Sequence, residues 1–182
     1  NTRYPQALHH LTKALNIFQI LGLEKEILNT QFHIAIVYGH TGRPKEAIQT
    51  ANEVRHQHNI NGDTIDYGIV TNFLGGCHRR LGEVDKALQY HEESLQILGE
   101  ANHIVQASAL EKAGLCCRII GEYQKAAEYL EHALELALRN NQSAGTLYCN
   151  VGLCHNVMGD NEKALHYYHL GIKELRKVGD RN

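Results

Sequence analysis

Proline is almost missing from this sequence: only Pro5 and Pro44 interrupt 182 residues, while glycine occurs 16 times. A chain with so few helix breakers and so many turn formers suits long helices parted by short, glycine-marked turns. An excess of one charge is missing too. The 18 basic and 20 acidic side chains are dispersed along the chain, and no basic stripe could track a phosphate backbone, so nucleic acid is not an expected partner. No apolar run approaches the roughly 20 residues that cross a bilayer. Asn1-Thr2-Arg3-Tyr4-Pro5 lacks the basic and apolar regions of a signal peptide. The chain therefore reads as soluble, cytoplasmic and not inserted in a membrane.

The patterns of chemistry are equally sparse. Five cysteines, Cys77, Cys116, Cys117, Cys149 and Cys154, form no zinc-type CxxC pair and read as reduced packing thiols. His166 and His169 lie three apart, and Cys154-His155 neighbours Cys149, but neither group brings a third and fourth ligand at recognisable spacing. HExxH, a glycine-rich phosphate loop and an acid–base pair at a strand end are all lacking. The expectation is no enzyme, no metal and no cofactor.

What the sequence does have is a repeat. Gly42, Gly82, Gly121 and Gly159 sit in equivalent strings, HTGRPKEA, RLGEVDKA, IIGEYQKA and VMGDNEKA, at intervals of 40, 39 and 38 residues. Five residues after each marker comes Ala47, Ala87, Ala126 or Ala164, and seven before it Ala35, Gly75, Gly114 or Gly152. Small residues at a fixed phase on both helices of a pair let two backbones approach closely. Twenty residues after each marker comes Gly62, Asn102, Asn141 or Gly179, the residue types that end a helix in the left-handed conformation. One repeat earlier the rule places Ala at position 7 and a stop at position 22, where Ala7 and Gly22 stand.

The expected helices are 3–20, 24–40, 44–58, 64–80, 84–98, 103–119, 123–138, 143–157 and 161–177, with Pro44 in the first turn of its helix and Pro5 near the start of another. The expected organisation is a single array over residues 1–182. It has a half repeat at 1–22 and repeats at about 23–62, 63–102, 103–141 and 142–179, and it reads as an excerpt of a longer array, since a polar capping helix is missing. Cys77, Cys116 and Cys154 share one phase and read as small buried residues. His78 and His155 share another and read as partly buried packing residues bonding across a helix pair. Glu24-Lys25-Glu26 and Glu92-Glu93 read as solvated.

NFLGGCHRRLGEVDKALQYHEESLQIL and YCNVGLCHNVMGDNEKALHYYHLGIKEL are similar to a signature of Leu-Gly, then an aromatic, Gly, Ala and a final Ala-Leu. On these residues the whole chain resembles the tetratricopeptide repeat family. The period exceeds that family's usual repeat of about 34 residues. It is similar to the longer form found in kinesin light chains, Pins-type polarity adaptors, and bacterial regulators of the MalT and Rap types. The usual closing proline is absent throughout, and the aromatic slot four before the marker is kept only at Tyr38, with His78, Cys117 and His155 elsewhere. The resemblance implies an all-α fold, a right-handed α-α superhelix of about four and a half helix pairs, whose first helices line a concave binding surface.

Positions 13, 10, 6 and 3 before each marker form a helical stripe on that surface. It comprises Asn29, Phe32 and Ile36; Ile69, Asn72, Gly76 and Arg79, with Arg80 adjacent; Ser108, Glu111, Leu115 and Arg118; and Thr146, Cys149, Leu153 and Asn156. Guanidinium forks at Arg79 and Arg118 suit carboxylates, and the amides of Asn72 and Asn156 suit a peptide main chain. The same arginines could instead pair with Glu111 or lie solvated at the rim. The leading expectation is an adaptor or scaffold segment binding an acidic peptide or protein. The alternatives are a sensor segment of a larger regulator and a structural spacer or self-assembly element.

Overall fold

The computed structural model describes residues 3–99 and 103–179. In this range the chain is α-helical, in the order α1 (Arg3–Leu21), α2 (Glu24–His40), α3 (Pro44–Asn61), α4 (Thr64–Arg80), α5 (Val84–Leu98), α6 (His103–Ile120), α7 (Tyr123–Arg139), α8 (Gly145–Val157) and α9 (Asn161–Gly179). The expected limits hold within one residue for most of these. α3 runs on to Asn61, three residues past expectation, because its stop is set by Gly62 in the left-handed region at φ 75. α8 starts at Gly145, two residues late.

The turns α2–α3, α4–α5, α6–α7 and α8–α9 share one construction. Gly42, Gly82, Gly121 and Gly159 have φ between 74 and 93, where a Cβ would clash with the backbone. This left-handed step lets the next amide reach back over the helix end. Arg43 N–H donates to the Tyr38 carbonyl at 3.0 Å, Glu83 to His78 at 3.1 Å, Glu122 to Cys117 at 2.9 Å and Asp160 to His155 at 2.9 Å. Gly22, Gly62 and Asn141 are also left-handed, as expected. The expected stop at Asn102 lies outside the described residues, and α5 ends instead before Gly99 at φ 47.

The helices gather into two compact units, one up to Tyr90 and one from His91. In the first, Ala35, Ala51, Val54, Val70 and Leu74 form a buried cluster edged by Phe32, Ile48, Phe73 and Tyr90. In the second, the small residues act as their phase suggests. A Cβ on Gly114 would lie 2.7 Å from Leu130 Cγ and 3.1 Å from the Ala126 carbonyl oxygen. One on Gly152 would lie 3.0 Å from the Tyr168 ring and 3.1 Å from the Ala164 carbonyl oxygen. The same Gly-to-Ala backbone approach thus recurs in both helix pairs, and no larger residue fits it. Cys77, Cys116, Cys117 and Cys154 are buried thiols.

Candidate functional site

The four rows of the stripe have different fates, because each helix is covered by its neighbours over a different arc. In the row ten before the marker, Phe32, Asn72 and Cys149 pack against neighbouring helices and Glu111 does not. The rings of Phe32 and Phe73 meet edge to face at 5.4 Å. Asn72 is only 5% exposed and already partnered, so its amide is not offered to a peptide main chain. Cys149 Sγ lies 2.8 Å from where a Cβ on Gly171 would stand, which turns it toward α9. Glu111 is half-buried.

The remaining rows look outward more. Asn29 and Thr146 are exposed, and Ile69 and Ser108 half-buried. Six before the marker, Ile36, Leu115 and Leu153 are half-buried, and a Cβ on Gly76 would meet nothing within 4 Å. In the row three before the marker, Arg79 and Arg118 are half-buried and Asn156 is exposed. Arg79 forms no ion pair among the described residues, and its Nε is buried without a hydrogen-bond partner. Arg118 and Glu111 form no ion pair with each other. Arg80 is committed elsewhere: it donates to the Gly39 carbonyl and so ties α4 to α2. In the second unit Ser108, Glu111 and Thr146 converge with Ile104, Ala107 and Leu147 on a cavity of about 190 Å³ between α6 and α8.

A polar network that the stripe does not contain is anchored at the turns. Backbone closure brings the side chains four before and one after each marker together. Arg43 lies 4.3 Å over the Tyr38 ring. His78 Nδ1 donates to Glu83 at 2.6 Å. In the third turn the pair is Cys117 and Glu122, and in the fourth His155 Nδ1 stands 3.9 Å from Asp160. His78 stacks on Tyr90 at 5.1 Å and His155 on Tyr167 at 5.6 Å. The expectation of packing histidines holds, with turn acids among their partners.

Glutamates of the preceding hairpin complete the network in the second unit. Glu131 accepts from His155 Nε2 and from the Tyr167 hydroxyl, each at 3.1 Å. Glu92 accepts from the Tyr129 hydroxyl at 2.8 Å and pairs with Lys125 at 2.9 Å. Glu92 is therefore engaged, contrary to its reading as a solvated charge. Burial, helped by the Glu92 hydrogen bond, pushes the Tyr129 phenol up to about 12. Burial pushes the Cys117 thiol up to about 11, and the Glu92 hydrogen bond raises Lys125. A thiol held so far above neutrality is a packing group, not a nucleophile. The repeated Tyr90, Tyr129 and Tyr167, eight after their markers, and Glu92 and Glu131, ten after theirs, were readable as a phase in the sequence.

His58, Asp63 and Asp66 bring ligand-type atoms within 4.8 Å of one another. His58 Nδ1 lies 3.2 Å from Asp63, the same four-before, one-after pairing as His78 with Glu83. Sequence spacing did not single out this group. No described helix is long and apolar enough to cross a membrane.

The tetratricopeptide repeat model matches residues 66–139. No curated protein sequence matches the chain. Among solved structures the chain is similar to MamA, at 18% identity and TM-score 0.71, over 97% of this chain and 91% of that one. It is similar to a putative kinesin light chain with nearly identical tetratricopeptide-like repeats from Podosopora anserina, at 15% identity and TM-score 0.77, over 99% and 90%. It is also similar to a Rap protein complexed with competence and sporulation factor, at 19% identity and TM-score 0.79, covering 99% of this chain. The chain spans 51% of that Rap structure's length. These likenesses show the fold, an all-α helical-repeat solenoid.

Proposed function

We propose that the chain, whose residues 66–139 match the tetratricopeptide repeat model, holds a protein or peptide partner on the outward rows of its first helices. The observation that carries this reading is the state of the arginine row. Arg79 is half-buried, forms no ion pair among the described residues, and keeps a buried Nε without a hydrogen-bond partner, one helical turn from Gly76, where a Cβ would meet nothing within 4 Å. Arg118 stands at the same phase in the second unit, beside the half-buried Leu115. A cation next to apolar surface suits a peptide that carries acidic residues among aliphatic ones, since a planar fork accepts a carboxylate in two parallel hydrogen bonds. The contact set is Asn29, Ile36, Ile69 and Arg79 in the first unit, with Ser108, Leu115, Arg118, Thr146, Leu153 and Asn156 in the second. Phe32, Asn72 and Cys149 support these from beneath, and Glu111 lines the cavity beside Ser108 and Thr146. The work is that of a cytoplasmic adaptor. The Rap structure, which holds competence and sporulation factor, lends support to a ligand-holding role on this fold.

Fluorescence anisotropy tests the reading with two labelled peptides, one alternating Glu with Leu and one alternating Lys with Leu. The Glu peptide binds and the Lys peptide does not, and Arg79→Ala or Arg118→Ala weakens binding by about tenfold. Equal affinity in the double variant removes the proposal.

A further inference from the structure

The turn edge of the second unit carries an apolar ridge. Just before their turn glycines, Ile119 is 56% exposed, Ile120 41%, Val157 49% and Met158 38%. These are the two positions before the marker in successive turns, where the first unit has His40, Thr41, Arg80 and Leu81. Turn construction does not demand apolar residues there, because the first unit closes the same turns with mostly polar ones. Met158 of the second turn and Tyr123 of the first line one shallow depression of about 760 Å³ together with Gly121, Glu122, Gln124, Lys125 and Glu128.

The charge lining the depression is one-sided once internal pairs are taken out. Lys125 is held by Glu92 at 2.9 Å, and Lys163 by Asp160 at 3.2 Å. Glu122 and Glu128 are exposed and hold no cation among the described residues, Glu128 accepting only the Gln124 amide at 3.1 Å. Apolar knobs ringed by unneutralised carboxylates complement a surface of opposite sign.

We propose that this edge is a second docking surface, separate from the first-helix rows, and that its occupant is an amphipathic basic segment of a partner protein. One or two aliphatic side chains of the segment enter the depression between Tyr123 and Met158, while flanking Lys or Arg residues meet Glu122 and Glu128. The inference does not depend on the acidic-peptide reading, since partner charge and surface are both different.

The test uses the whole 15N-labelled chain and a synthetic helical peptide with Leu at i, i+3, i+4 and i+7 and Lys elsewhere, compared with a Glu-for-Lys version. The expected result is saturable shifts at the amides of Gly121, Tyr123 and Gly159 with the Lys peptide alone. Ile120→Asp and Met158→Asp, both exposed positions, keep wild-type circular dichroism and lower the affinity at least about tenfold. Added salt weakens binding. The proposal is overturned by absence of saturable shifts, by shifts centred on Ser108 and Thr146, or by equal binding of the Glu peptide. It is likewise overturned if sedimentation shows self-association that Ile120→Asp abolishes, since a second copy is then the occupant.

Discussion

The phenol of Tyr129 on α7 donates to the carboxylate of Glu92 on α5 at 2.8 Å, across 37 residues of chain. Tyr167 repeats the relationship with Glu131 at 3.1 Å. Each bond joins the second helices of consecutive hairpins, so it contributes to holding neighbours in register, the only kind of contact a repeat fold has beyond the hairpin itself. Tyr129→Phe deletes one hydrogen bond to a charged acceptor while keeping the ring. Its expected cost is about 1–2 kcal/mol, read as a lower urea midpoint with unchanged m-value.

Alkaline pH addresses the same group. The folded chain holds the Tyr129 proton up to about 12, against an ordinary value of 10.0. Above pH 10 the unfolded chain therefore binds fewer protons than the folded one. The stabilisation is complete below that value and is lost as pH rises toward 12. Thermal melts across this window should show a falling midpoint whose slope is reduced in Tyr129→Phe.

Two glycines in first helices make opposite predictions. At Gly76 a Cβ meets nothing within 4 Å, so Gly76→Ala raises stability by about 0.5–1 kcal/mol through helix propensity. At Gly114 the Cβ would sit 2.7 Å from Leu130 Cγ and against the Ala126 carbonyl, so Gly114→Ala lowers it by about 1–3 kcal/mol. Chemical denaturation of the two variants decides, and a shared sign contradicts the close-approach account.

Thiol labelling at pH 8 separates the cysteines. Cys77, Cys116, Cys117 and Cys154 are buried, and Cys117 keeps its proton to about 11. Cys149 alone is half-buried, so mass spectrometry should find a disulfide reagent there first.

How much of this was legible beforehand follows from how local each cause is. The turn glycines, the αL stops at Gly62 and Asn141 and the Gly114–Ala126 approach depend on residues within one hairpin, and the repeat displays them in phase. The inward turn of Asn72 and Cys149 was not legible, because it depends on which arc of α4 or α8 the neighbouring helices cover. Glu92 looked solvated for a related reason: its partners Lys125 and Tyr129 belong to the following hairpin. Arg80 is likewise taken up by a group of another hairpin, the Gly39 carbonyl of α2.

The central claim, that a partner lies along the first helices, is tested most directly by paramagnetic broadening with a nitroxide-labelled acidic peptide. The account predicts loss of amide signal along the outward rows of α2, α4, α6 and α8, around Ile36, Arg79, Leu115 and Arg118. Broadening confined to α3, α5, α7 and α9, or spread evenly over the chain, would contradict it.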